Sequence, residues 1–445
     1  MNHKSWICAL FLSLAALAPV AAREAAKDRQ PSPDSIKRYV FTAESFAAVQ
    51  RELEKRELVA TEPFLAPTSD QSTVVTLKGH NGFPIPHLVD NVRGQFHVYG
   101  LFRRPQHPVG LAPYQVQQVV FNTKSPQVSP VGTLTIPRGK GPFAAVVLLA
   151  GSGAHTRDAG MSLHKTLWVL ADHLTRMGIV VLRYDKRGVG LTGGQAHPHS
   201  TINDYADDAL GAVRFLAQQR SVDPTKIGLI GHSEGGTVAA LVAGTAPTEV
   251  RFVAMMAGMG LSGIHLKSLQ DAVERRAEGM PDELVVANQK QEFELFEIAA
   301  SPRDHGQALA AMQTATKALP DDVKKLLEIP PEGPPDEAFD GLLTPWFRHF
   351  IGIDTSAILE RVRVPLLAMI GEKDMQVPAK ENLTAIRQAL ARSGNRQATV
   401  LELPGLNHNF QTAKSGRAFE YLLIEETVAP SAMQTLTRWV LGVVR

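Results

Sequence analysis

The chain has 445 residues, enough for one large α/β domain with additions. Apolar residues make up 44% and charged residues 20%, a balance that supports a sizeable core without disulfides or metals. The 46 basic and 44 acidic residues nearly cancel to a formal net charge of +2, which removes the electrostatic case for nucleic acid or an anionic membrane surface as partner.

The first residues carry Lys4, a short apolar run over 6–18, and the small residues Val20, Ala21 and Ala22. This pattern predicts a secretory signal peptide over 1–22 and an exported protein, periplasmic or secreted. The apolar run is shorter than a typical membrane span. Cys8, the single cysteine, lies inside it. The mature chain is therefore expected to hold none, which excludes cysteine nucleophiles, CxxC redox chemistry and cysteine zinc sites.

Residues 23–114 read as an N-terminal extension. A polar leader covers 23–34, and Phe46, Val49, Leu53 and Leu58 carry helical spacing over 43–58. Short β-type runs with Gly and Pro punctuation follow from 73 to 135. From Phe143 onward, continuous apolar runs at 145–150, 179–184, 226–231, 252–257, 365–371 and 399–404 alternate with amphipathic stretches. Continuous runs suit strands buried on both faces of a parallel sheet. Helices are predicted over 162–177, 202–219, 379–392 and 431–441, the second opened by the capping-box pair Thr201 and Asp204. The alternation predicts an α/β fold with a doubly wound, mostly parallel sheet over 115–445. Residues 261–350 interrupt it with charged helical segments and prolines at 330, 331, 334 and 335, and read as a helical cap insertion. Phe293, Phe296, Trp346, Phe347 and Phe350 either line a substrate pocket or form the insertion's own core.

Gly231-His232-Ser233-Glu234-Gly235 is a G-x-S-x-G element between a predicted strand and a helix-compatible segment. A tight strand-to-helix turn of this kind strains the serine backbone and exposes its hydroxyl, which makes Ser233 the candidate nucleophile. A serine hydroxyl needs a base, and the base an orienting acid. Gly371-Glu372-Lys373-Asp374 follows one later strand, and Pro404-Gly405-Leu406-Asn407-His408 follows the next. Asp374 is thus the candidate orienting acid, with Glu372 as its rival, and His408 the candidate base. An oxyanion needs main-chain donors; the candidates are Glu234 N–H and, after the 145–150 run, Ser152 or Gly153 N–H.

Other signals carry less. Residues 188–193 spell GxGxxG after a strand, but no helix follows, so the dinucleotide context fails. His197-Pro198-His199 lacks the helical spacing and the supporting ligands of a metal site. Arg157-Asp158 and Asp185-Lys186-Arg187 read as ion pairs that shape loops.

The runs AGSGAHTRD at 150–158, RYDKRGVG at 183–190, GHSEGG at 231–236, GEKDMQVP at 371–378, LPGLNHNF at 403–410 and IEETVAP at 424–430 together resemble bacterial exported serine esterases of the α/β-hydrolase fold. GHSEGG is also similar to elements of prolyl-oligopeptidase-like peptidases. The resemblance covers roughly residues 115–445 and implies a carboxylesterase acting on short acyl esters through Ser233, Asp374 and His408. The expected partner is a small-molecule ester, and the expected chemistry requires no cofactor. A peptidase and an acyltransferase use the same triad and remain alternatives; a binding protein on an inactive site is the least supported, since all three triad members are present.

Overall fold

The computed structural model describes residues 106–108, 110–161, 164–418 and 420–445, together with the backbone of six short strands between 37 and 99. The predicted signal peptide and the predicted helix over 43–58 lie outside the described residues. The six strands are β1 (Lys37–Arg38), β2 (Val59–Phe64), β3 (Pro67–Thr68), β4 (Ser72–Lys78), β5 (Pro84–Val92) and β6 (Gln95–Tyr99). β1 pairs with β3, and the other four form an antiparallel sheet in the order β2-β4-β5-β6.

The main sheet has eight strands: β7 (Gln115–Val120), β8 (Val131–Ile136), β9 (Phe143–Leu149), then β12 (Val180–Tyr184), β13 (Val222–His232), β14 (Phe252–Met256), β15 (Leu366–Gly371) and β16 (Ala398–Leu403). A short hairpin of β10 (Gly160–Met161) and β11 (His164–Lys165) stands apart from it. The order is β16-β15-β14-β13-β9-β12-β8-β7. Only β8 runs against the rest. All six apolar runs predicted as strands are strands of this sheet.

Why these segments are strands follows from burial. β12, β14 and β15 are buried at every residue, as strands covered on both faces must be. Side chains alternate between two cores. Val147, Leu149, Leu229 and Val253 face one cluster, with α2 (Ile202–Ala217), α3 (Glu234–Thr245), α10 (Ala379–Ser393) and much of the insertion. Val146, Leu148, Ile230 and Ala254 face the other, with α1 (Thr166–Arg176) and α12 (Pro430–Val444). Each fully buried aliphatic side chain contributes roughly 1.5–3 kcal/mol relative to exposure.

Thr201 and Asp204 form the expected reciprocal capping box on α2. The first helix starts later than its sequence pattern suggests, at Thr166, because His164 and Lys165 pair with Met161 and Gly160 as strands. There His164 is tied across the chain to Thr427 Oγ1 at 2.9 Å, a long-range bond invisible to local periodicity.

The insertion between the paired strands β14 and β15 holds α4 (Gly263–Ala277), α5 (Asp282–Ala300), α6 (His305–Lys317), α7 (Asp321–Leu326), a 3-10 helix (Asp336–Leu343) and α8 (Pro345–Ile351). Two short helices, α9 (Thr355–Leu359) and α11 (Glu420–Leu423), complete the set. No helix among the described residues is long and apolar enough to cross a membrane.

Candidate active site

The site lies where the parallel strands end. β13 runs into Ser233 and α3 begins at Glu234, so the turn has no spare residue. Ser233 is held at φ 55 and ψ −125, a region strained for any residue with a Cβ. The flanking glycines are required by close approach. A Cβ on Gly231 would lie 1.9 Å from the Gly235 carbonyl oxygen, and one on Gly235 would lie 2.5 Å from that of Leu149.

Asp374 sits just past β15 and His408 just past β16. His408 Nδ1 donates to Asp374 Oδ2 at 2.8 Å. The other carboxylate oxygen of Asp374 accepts the main-chain N–H groups of Gln376 and Val377, at 2.9 and 2.8 Å. These three bonds suit an ionised, fixed carboxylate. Asp374 and His408 are both buried. Glu372, the rival acid, is used elsewhere: its Oε2 accepts Gly405 N–H at 2.7 Å and tightens the loop leading to His408. Asn407 shapes the same loop by accepting from Asn409 and Gln411 N–H at 3.0 and 2.9 Å.

Ser233 and His408 line one pocket together with Gly151, Ser152 and Glu234. Leu167, Met259, Leu266, Val377 and the insertion's Trp346 and Phe350 supply its apolar wall. Lys267, Gln270, Gln376 and Asn409 supply polar groups. Gly153 is not among the lining residues, so of the two candidate donors on the loop after β9 the structure brings only Ser152 to the pocket. The five insertion aromatics divide. Trp346 and Phe350 stack on each other at 5.1 Å and face the pocket, while Phe296 and Phe347 meet edge-on at 5.5 Å in the insertion's core. Phe293 packs edge-on against His265.

Several residues near the nucleophile had no distinguishing signal in the sequence. His232 donates from Nε2 to the His408 carbonyl at 2.8 Å, which fixes the base's backbone from the nucleophile's own strand. Burial, then the neighbouring His408, pulls the His232 pKa down to about 3, so its ring stays neutral. His155 donates to the Ser152 carbonyl at 2.6 Å, and burial lowers its pKa too. Burial likewise lowers that of His197 to about 4; it packs edge-on against Trp346. Among the described residues no group of three or more His, Cys, Asp and Glu is placed to hold a metal ion.

The charged loop residues pair as follows. Arg157 forks onto Asp185 at 2.6 and 3.0 Å. Arg183 meets Asp158, and Arg187 bridges Asp204 and Asp208 at 2.7 Å each. Lys186 points inward to Glu234 at 3.0 Å. The GxGxxG segment is a tight turn closed by Gly188 N–H to the Gly193 carbonyl, and no helix starts before Ile202.

The family model described as serine aminopeptidase, S33, matches residues 141–304. Esterase EstD of Thermotoga maritima is 25% identical over 280 residues, 62% of this chain and 57% of that protein. Polyketide transferase claH of Penicillium crustosum is 39% identical over 84 residues, 19% of this chain and 27% of that one. This chain thus spans little more than half the length of the esterase and about a quarter of the transferase. Among solved structures, Est1E from Butyrivibrio proteoclasticus is 15% identical with a TM-score of 0.43, covering 74% of this chain and 98% of that one. The chain resembles α/β-hydrolase serine esterases.

Proposed function

We propose that this protein is a serine hydrolase that cleaves carboxylic esters, with short acyl groups preferred, through an acyl-enzyme. The observation that carries the reading is the strained Ser233 elbow sharing a pocket with a His408 already oriented by Asp374. With Nδ1–H engaged by Asp374, the free Nε2 of His408 is the basic nitrogen. It takes the Ser233 proton as Oγ attacks the ester carbonyl. The oxyanion is held by the N–H groups of Ser152 and Glu234. His408 then protonates the departing alcohol and, in the second half, activates the water that releases the acid. The 25% identity to an esterase supports the ester as substrate class. The signal-like segment over 1–22 supports an exported location.

The test is hydrolysis of p-nitrophenyl esters, from acetate to long chains, beside aminoacyl anilides, with Ser233→Ala alongside. Short-ester activity that falls by about 10⁴-fold or more in the variant is the expected result. Undiminished turnover in Ser233→Ala would overturn the proposal. A second reading, a peptidase, is favoured by the description of the matching family model; activity on the anilides alone would select it.

A further inference from the structure

The two candidate oxyanion donors are main-chain N–H groups, and a peptide unit is planar, so each N–H is aimed by whatever holds the carbonyl of the preceding residue. For Glu234 N–H that carbonyl belongs to Ser233, and it accepts Gly236 N–H at 2.8 Å. For Ser152 N–H it belongs to Gly151, and its partner is a side chain: Lys186 Nζ, at 2.9 Å. Lys186 is buried, lies 3.7 Å from the centre of the Tyr205 ring, and donates also to Glu234 Oε1 at 3.0 Å. The other oxygen of Glu234 accepts Trp346 Nε1–H at 2.5 Å and the Ser152 hydroxyl at 3.3 Å. Glu234 is 2% exposed and Trp346, from α8 of the insertion, equally so. One buried carboxylate therefore ties together both donor residues, the lysine that aims one of them, and the cap.

Such a cluster is an expensive way to fill space, because each buried charge must recover its lost hydration. Its geometry gives it a use. If the Gly151 carbonyl lost Lys186, the 151–152 peptide would be free to rotate and swing its N–H away from the reacting oxygen. We infer that Lys186 is a positioning residue for the oxyanion site, fixing the Gly151–Ser152 peptide, and that Glu234 and the cap's Trp346 hold Lys186 in place. None of the three side chains is required to touch the ester. The inference rests on the hydrolase reading and deepens it: catalytic power depends on a contact from the cap as well as on the triad.

The experiment uses the full chain and compares wild type, Trp346→Phe, the charge-balanced double variant Lys186→Met with Glu234→Gln, and Ser233→Ala. Trp346→Phe keeps an aromatic ring beside Phe350 while removing the indole N–H together with the pyrrole ring. For each, kcat and KM are measured on p-nitrophenyl acetate, beside Ki for an aryl trifluoromethyl ketone, which forms a tetrahedral oxyanion adduct. The double variant is expected to lose about 10²-fold in kcat, the scale of one oxyanion donor, with KM changed by less than about 3-fold. Trp346→Phe is expected to lose about 5- to 10-fold in kcat. In both, Ki for the ketone should rise in proportion to the loss in kcat/KM, because a mispositioned donor is missed only by the tetrahedral state.

A double variant with kcat within about 3-fold of wild type overturns the inference. So does a loss of kcat with no weakening of the ketone. If the double variant does not fold, Trp346→Phe decides alone, by the same proportionality. If Ser233→Ala remains fully active, the hydrolase reading itself fails; if it is inactive while the network variants behave as wild type, only the positioning role fails.

Discussion

Past β15 and β16, buried polar groups draw much of their support from within four residues. Asp374 takes the N–H groups of Gln376 and Val377, and Asn407 takes those of Asn409 and Gln411. In the insertion some of the bonds that tie helices together span longer stretches of chain. Arg275 reaches Glu292 on the next helix at 2.9 Å, and Arg348 caps the carbonyls of Ala299, Ser301 and Arg303. The first arrangement fixes a few atoms at the chemistry. The second depends on whole helices packing in one register, so its failure should show as lost stability before lost chemistry.

The largest effect that sharpens this contrast is expected at Asp374. Asp374→Asn replaces one carboxylate oxygen by an amide NH₂. Whichever way it turns, a donor faces either the Gln376 and Val377 N–H groups or His408 Nδ1. The imidazole then loses its orienting acceptor or takes the wrong tautomer. The expected cost is about 10⁴-fold in kcat, with unfolding in urea moved far less; a variant that lost its fold along with its activity would break the contrast.

Next comes Arg275→Met. The Arg275 and Glu292 side chains are 13% and 2% exposed. Burial pushes the Glu292 carboxyl above its ordinary range even against the Arg275 cation. Without that cation the carboxylate must be buried unpaired or take up a proton, at a cost of about 3–5 kcal/mol. Arg275→Met with Glu292→Leu should recover most of it. Urea denaturation of single and double variants checks this; equal losses would mean that packing rather than charge is at stake.

Acid should act on the buried His232 beside His408 and on the insertion's buried glutamates with opposite sign. His232 binds its proton in the unfolded chain near 6.5 but, folded, only near 3. Between those values the unfolded state holds more protons, so this group's contribution to stability is lost as pH falls, at up to ~1.4 kcal/mol per pH unit. Glu292 and Glu274 have pKa values raised above 4.5 by burial. Above 4.5 the folded state holds their protons more tightly, so these groups favour folding as pH falls. Urea midpoints measured from pH 7 to pH 4 should drop less steeply for His232→Gln than for wild type, and more steeply for Glu292→Gln. Parallel curves for all three would rule the assignment out.

How much of this was legible in the sequence follows the same division. The six central strands, the elbow and the Asp374 and His408 loops carry short-range signals: continuous apolar runs, glycines two positions either side of Ser233, and strand ends followed by Asp or His. The start of α1 is not legible because β11 pairs with β10 and His164 bonds across the chain to Thr427, which local periodicity does not report. The split among the insertion aromatics was not readable. Phe293 and Phe296 share helical spacing on α5, as Trp346, Phe347 and Phe350 do on α8, and only the packing of α8 against α5 and the pocket decides which ring faces inward. Lys186 looked like its neighbours Asp185 and Arg187; that it alone turns toward Glu234 depends on a residue 48 positions away.

Sequence separation is not the whole of the contrast, and Arg214 with Glu249 isolates the other factor. This pair is as long-range as those in the insertion, 35 residues apart, and its fork geometry is good, with both N–O distances 2.8 Å. Its side chains are 57% and 33% exposed, so water competes for each charge and salt screens the attraction. The Glu249 carboxyl is lowered by its bond to Arg214, but discounted for solvent that shift implies little stabilisation. Arg214→Ala is expected to cost less than about 1 kcal/mol, and the difference should shrink further in 0.5 M salt. A loss comparable to that of Arg275→Met in the same urea assay would show that distance along the chain, rather than burial, sets the cost of breaking an ion pair in this fold.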